Sequence, residues 1–244
     1  MHNVDRTDAH QPVPGDAKMI AEEFKDYAYI VSHDLGAPVR AMVEFSKLLH
    51  SEHGNQLDDE AKEFLSIIVE NGTKLQNMMA ALLDYSRLNT AVKSYTQVDC
   101  NHLIEVCRNT MAQTITATDA VITTEGLPVV TADAEQFVKV FETLLDNAMK
   151  FQPAGNAPQI KVAARQEGEH WHFTVSDNGI GIEERFFDRI FKLFRRLHGD
   201  EEYTGQGMGL TLAHKILGSH GGRIWCESEP GKGSVFHFTM PVQA

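Results

Sequence analysis

Basic charge is scarce in this chain: 22 lysines and arginines stand against 34 aspartates and glutamates over 244 residues, a formal charge of −12. A surface so biased repels polyanions, which argues against sequence-independent binding to DNA, RNA or anionic lipid and leaves proteins and small molecules as the partners. Cysteine is equally sparse. Cys100, Cys107 and Cys226 are widely spaced and include no C-x-x-C pair, so neither a disulfide framework nor a zinc site is indicated and a reducing, cytoplasmic setting is expected. No apolar run approaches the roughly 18 residues that span a bilayer. The polar N-terminus also lacks the apolar core of a signal peptide, so no membrane segment is expected.

What is present divides the chain in two, as its length suggests. Residues 1–16 hold two prolines and a glycine among polar residues and cannot bury enough apolar surface to order themselves, so they are expected to form a disordered tail. From Ala17 the pattern turns helical. Ile20, Phe24, Tyr27, Val31, Pro38, Ala41, Phe45 and Leu48 fall near the spacing of three and four that makes one apolar stripe. Pro38 is expected to bend that helix. The segment SEHGNQLDD, residues 51–59, is a polar break in which Asp58 or Asp59 caps the next helix. There Ala61, Leu65, Ile68, Gly72, Leu75, Met79, Leu82 and Ser86 alternate by four and three, a heptad seam. Two helices on a short loop make a hairpin with too little core to stand alone. Two copies make a four-helix bundle, so residues 17–92 are expected to be a homodimerisation domain.

From residue 93 helices alternate with strands. DCNHLIEVCRNTM and TADAEQFVKVFETLLDNAMKF read as helices, while AVITTE, PVV, IKVAARQ, HWHFTVS, RIWCESE and SVFHFTM read as strands. The last four pair in two hairpins. An antiparallel or mixed sheet with helices on one face, an α/β sandwich, is expected over residues 93–244.

Four segments carry candidate chemistry. In YAYIVSHDLGAPVRAM, His33 lies off the apolar stripe with Asp34 beside it, which suits a nucleophilic imidazole and equally an ordinary surface histidine. In DNGIGI, Asp177 follows a strand, and Gly179 and Gly181 let backbone approach a planar ligand closely. GQGMGLTLAHKIL places Gly205, Gly207 and Gly209 before a helix whose amides and positive end suit phosphate. In ETLLDNAMKF, Asn147 and Lys150 lie three apart on one helix face, which suits an amide oxygen and an ammonium reaching a phosphate-bound cation and the phosphate, and equally suits two exposed surface residues.

Taken in order over residues 20–242, these segments resemble the sensor histidine kinases. SHDLGAP resembles the family's phospho-acceptor motif, LLDNAMKF its N box, DNGIGI and GQGMGL its two glycine boxes, and RIFKLFRRL its phenylalanine-containing lid. The wording FRRLHGDEEYTGQGMGL is most similar to the phytochrome-type branch. The resemblance implies a dimeric helical bundle followed by an ATP-binding domain of the histidine kinase, gyrase and chaperone type. It further implies that His33 accepts the γ-phosphoryl group of ATP with Asp34 holding its other ring nitrogen, and that an aspartate of a response-regulator receiver domain then takes the group. Asn147 would hold Mg²⁺, Lys150 and Arg196 would meet phosphate, Asp177 would read the adenine amino group, and Phe151 would pack on the base. Gly179, Gly181, Gly205, Gly207, Gly209 and Leu210 would line the pocket beneath a lid from about Glu183 to Tyr203 pinned by Phe191 and Phe194.

Two positions depart from the family pattern. Thr143 stands where a second polar N-box residue, commonly Asn, is usual, and Ala37 stands where Thr or Asn orients the water for regulator dephosphorylation. The first leaves a phosphotransfer or scaffold protein with a weakened ATP site as the alternative. The second implies a kinase without phosphatase activity. His50 and His53, a turn apart, have no acidic or thiolate partner at metal-binding spacing.

Overall fold

The computed structural model describes residues 14–88, 94–195, 197, 203 and 207–242, with side chains from Tyr27 onward except Tyr29. The chain divides into two compact units at Ala91 and Val92. The expected tail lies outside the described residues up to position 13. Residues 14–16, assigned to that tail from sequence, instead begin the first helix, where proline's fixed φ suits the opening turn.

The first unit is a hairpin of α1 (Pro14–His53) and α2 (Asp59–Arg87) joined through a 3-10 turn at Gly54–Gln56. Asp58 supplies the cap, its carboxylate accepting from the Ala61 amide at 2.8 Å, which satisfies one of the helix's orphan N–H groups. The buried face of α1 corrects the expected stripe. Ala28, Ser32, Val39, Val43 and Ser46 pack inward, whereas Tyr27 and Phe45 are exposed, Phe45 by 71%. Small residues win the inner face because they let the two helix backbones close up. Gly72 of α2 faces Val43 so tightly that a β-carbon there would strike the valine methyl, and the Ser32 hydroxyl donates across to the Met79 carbonyl at 3.2 Å. The expected seam on α2 is likewise split: Leu65, Met79 and Ser86 are buried, while Ile68 and Leu75 are exposed.

In the second unit, β1 (Tyr95–Asp99) and β3 (Val129–Asp133) pair antiparallel. Five strands form the main sheet in the order β2 (Val121–Glu125), β4 (Gln159–Glu167), β5 (His170–Ser176), β7 (Ser234–Pro241) and β6 (Ile224–Ser228). The β2–β4 pair is parallel and the others antiparallel, so the sheet is mixed. Helices α3 (Cys100–Thr110), α4 (Ala112–Thr118), α5 (Ala134–Lys150) and α6 (Gly209–Ser219) complete the unit. The reading from sequence missed β1 and α4, and it ran the α5 helix three residues too far back. Thr131–Asp133 belong to β3, and Asp133 caps α5 by accepting from the Gln136 amide at 3.1 Å.

Alternation along the strands sends one row of side chains to the helices. Phe173 of β5 and Phe238 of β7 stack with centroids 4.6 Å apart, and Phe137 and Phe141 of α5 meet them edge to face. This aromatic core fixes α5 against the sheet. The three cysteines are free and buried, and burial pushes each thiol up to about 12. They are packing residues rather than reactive ones. Among the described residues no helix is long and apolar enough to cross a membrane.

Candidate functional site

In the helical unit, His33 sits midway along α1 with 69% of its side chain exposed and Asp34 with 67%. Its Nδ1 lies 3.0 Å from the Asp34 carboxylate. A carboxylate there accepts Nδ1–H, so it holds the tautomer whose lone pair is on Nε2. Ala37, one turn further along, is also exposed.

In the second unit, the end of α5 and the loop after β5 are tied together. Phe151 caps α5, its amide donating to the Asn147 carbonyl at 3.0 Å, while its own carbonyl accepts from the Ile180 amide at 3.0 Å. The approach is close enough to require glycine: a β-carbon at Gly179 would collide with that same carbonyl oxygen. Lys150 lies over the Phe151 ring, 4.9 Å from its centroid. The Tyr203 ring stands 5.0 Å from that of Phe151, and its hydroxyl donates to the Gln152 carbonyl at 3.2 Å. Asn147 lies in the last turn of α5 with its side chain half-buried, and no hydrogen bond of its side-chain amide is found among the described residues.

Asp177 is anchored from two directions. Its Oδ1 accepts from the Gly179 amide at 2.8 Å and from the Ser234 amide at 3.1 Å. Burial pushes this carboxyl above the usual range, and the two N–H donors pull it partway back. With one oxygen held, the other stays directed by the fold rather than by rotation about the side chain. That is the arrangement a heterocyclic amino group needs.

Gly207 and Gly209 lead into α6, where Leu210 is the second helical residue. Met208 occupies the N-cap without a side-chain cap, and a helix start of this kind can offer its first amides to an anion. Helix α6 packs on α5. The methyl group of Thr143 is turned towards the start of α6, within 2.8 Å of where a Gly209 β-carbon would sit. Phe191 leans on His214 of α6 with ring centroids 5.9 Å apart. Phe194 is 38% exposed and has a left-handed backbone at φ +55°, a conformation that costs a bulky residue about 1 kcal/mol or more. Arg196 and Gly205 lie outside the described residues. The structure thus brings Phe151, Asp177, Gly179 and Gly181 into one loop cluster and sets the start of α6 against α5. His33 and Asp34 belong to the other unit.

Sequence reasoning missed Ser234. It lies 57 residues from the carboxylate it anchors, and nothing in the local pattern of β7 distinguishes it.

Comparison with known proteins bears on the family and the fold. The family of histidine kinase-, DNA gyrase B- and HSP90-like ATPases matches residues 132–244, and the His Kinase A (phospho-acceptor) domain matches residues 25–91. Cyanobacterial phytochrome A of Nostoc sp. (strain PCC 7120) is 40% identical over 220 residues, 90% of this chain. That match spans 29% of the phytochrome, so the chain corresponds to less than a third of such relatives. Among solved structures, full-length ShkA in complex with AMPPNP shares the fold with a TM-score of 0.67 at 24% identity, over 90% of this chain and 46% of that one. Histidine kinase ThkA in complex with the response regulator protein TrrA does so with a TM-score of 0.63 at 22% identity, over 96% of this chain and 68% of that one.

Proposed function

The chain belongs to the sensor histidine kinases, and on that premise we propose that it phosphorylates itself on His33 with ATP and passes the phosphoryl group to an aspartate of a response-regulator receiver domain. The observation that carries the proposal is the exposed imidazole of His33 with Asp34 at its Nδ1, in a phospho-acceptor domain followed by an ATPase-type domain. Nε2 attacks the γ-phosphorus, the bond to the β,γ-bridging oxygen breaks, and ADP departs. With Asp34 accepting Nδ1–H, the lone pair on Nε2 attacks without a separate general base. Positioning and charge neutralisation therefore dominate catalysis.

Asp177 accepts the adenine amino group, Phe151 packs on the base, and Lys150 and Arg196 meet phosphate. The glycine boxes, with Gly181, Gly205, Gly207, Gly209 and Leu210, supply backbone amides. Phe191 and Phe194 belong to the lid. The donor set fits Mg²⁺, which takes few protein oxygens and keeps phosphate and water for the rest; Asn147, whose amide oxygen has no protein donor among the described residues, would hold it. Bound there, Mg²⁺ neutralises phosphate charge. Homodimerisation follows from the apolar side chains that a single hairpin leaves exposed, among them Ile30, Met42, Phe45, Ile68 and Leu75. The ThkA complex with a response regulator is the precedent for the partner. Ala37 offers no group to orient water, so net loss of phosphate from the regulator is expected to run back through His33.

Incubation with γ-labelled ATP and Mg²⁺ tests the proposal. The label should be lost in acid, should survive alkali, and should be absent from His33→Gln. Label persisting on that variant would overturn the assignment.

A further inference from the structure

The loop of the first glycine box rests on the turn between β6 and β7, and one hydroxyl joins them. Ser228, the last residue of β6, belongs to none of the motifs that identify the site. Its Oγ donates to the Gly233 carbonyl at 2.7 Å and accepts from the Ile182 amide at 2.8 Å. A third contact, to the Ser234 Oγ, is 3.0 Å long. Proton counting settles its direction: a serine hydroxyl carries one hydrogen, and that of Ser228 goes to Gly233, so Ser234 is the donor. Ser228 thus accepts twice and donates once, with its full capacity directed at the two segments that flank Asp177.

The surrounding contacts leave little slack. The Gly231 amide donates to the Ile180 carbonyl at 2.7 Å. Gly181 has φ +72° and Gly233 φ +87°. A β-carbon at the first would strike the Glu229 carbonyl, and one at the second the Asp177 carbonyl. Ser234, whose hydroxyl Ser228 receives, also donates its amide to Asp177 Oδ1 and accepts the Asp177 amide at 2.9 Å. The path from Ser228 to the carboxylate that reads the ligand is therefore one residue long on one side, through Ser234. On the other side it is the short loop from Ile182 back to Asp177.

We propose that Ser228 is a positioning residue for purine recognition: its hydroxyl locks the glycine-box loop to the β6–β7 turn and so holds the Asp177 carboxylate in register with an exocyclic amino group. This rests on the reading of the second unit as a nucleotide site. Removing the hydroxyl frees the Ile182 amide, the Gly233 carbonyl and the Ser234 proton together. Asp177 then keeps its charge but loses its fixed direction, and a carboxylate free to turn discriminates poorly between an amino group and a carbonyl on the base.

The test is nucleotide binding by the whole chain, measured with ADP and GDP by calorimetry well below the melting temperature. Ser228→Ala should weaken ADP binding about tenfold and narrow the preference for ADP over GDP, while Ser228→Thr, which keeps the hydroxyl, should restore the preference. Should the alanine variant fail to fold, Ser228→Cys keeps the shape with a poor acceptor and should narrow the preference in the same way. A variant that retains both affinity and preference overturns the proposal. So does one that loses affinity for both nucleotides equally in step with its melting temperature, since that marks a structural role alone. If the unmodified chain binds neither nucleotide, the nucleotide-site reading itself fails.

Discussion

The Asp177 carboxylate sits where burial disfavours its charge, so recognition and stability oppose each other at that residue. Its folded pKa is raised above the unfolded value. The stability it contributes is present below the unfolded value and is lost as pH rises through the folded one, so at neutral pH the ionised group is a net cost to the fold. Asp177→Asn keeps an oxygen for the Gly179 and Ser234 amides and removes the charge. It is expected to raise the melting temperature of the nucleotide-free protein while weakening ATP binding by about 1–3 kcal/mol. Calorimetric titration and thermal melting check the two signs separately, and a fall in both would contradict this account. A second titrating feature lies on the sheet. His172, 8% exposed, faces His237 with Nε2 and Nδ1 3.1 Å apart, and Glu167 and Glu227 stand at their outer nitrogens at 3.2 and 3.7 Å. Burial lowers the His237 pKa; Glu227 opposes the shift, His172 and Arg165 add to it, and Glu167 opposes it. Because the folded value lies below about 6.5, the unfolded chain binds more protons between the two, and stability falls as pH drops below that point. Melting between pH 7.5 and 5.5 should show this decline, and His237→Gln should flatten it. The pair was not legible in the local pattern, because alternation along β5 makes His172 look like any outward residue and its partner is 65 positions away.

The helical hairpin carries two apolar surfaces, one closed between its helices and one exposed. Its inner surface is built from small residues such as Ala28, Ser32 and Gly72, and its outer one from Ile30, Met42, Phe45, Ile68 and Leu75. Periodicity finds both but cannot rank them, since positions three and four apart serve either face equally. That is why the stripe and seam expected from sequence merge residues that the structure separates. A lysine at a buried position costs several kcal/mol wherever it falls, but the consequence depends on the surface. Leu75→Lys is expected to dissociate the dimer and leave the hairpin helical, whereas Leu65→Lys, facing α1, should unfold the hairpin. Light scattering at micromolar concentration together with far-ultraviolet circular dichroism distinguishes the two. A monomeric unmodified chain would refute the bundle.

At the scale of the whole chain, the division at Ala91 and Val92 separates the imidazole from the nucleotide loops. A ligand that binds only the second unit stabilises that unit alone, by about 2.7 kcal/mol at a hundredfold excess over Kd. Calorimetry is expected to show two transitions, with ADP and Mg²⁺ raising one and leaving the other in place. A single transition that moves as a whole would mean that the units unfold together.

The amino-acid sequence by itself determined most of the elements and their order, β1 and α4 excepted, because amphipathic periodicity, the Asp58 cap and the glycine-bearing breaks act over a few residues. It also determined the family, because the phospho-acceptor, N-box and glycine-box segments are contiguous runs. Only the tertiary structure decided which face of each helix turns inward, that β3 pairs with β1 while β2 joins β4, and that Ser228 and Ser234 hold Asp177. Such pairings join residues tens of positions apart, and their register follows from the packing of the whole sheet against α5 rather than from any local pattern.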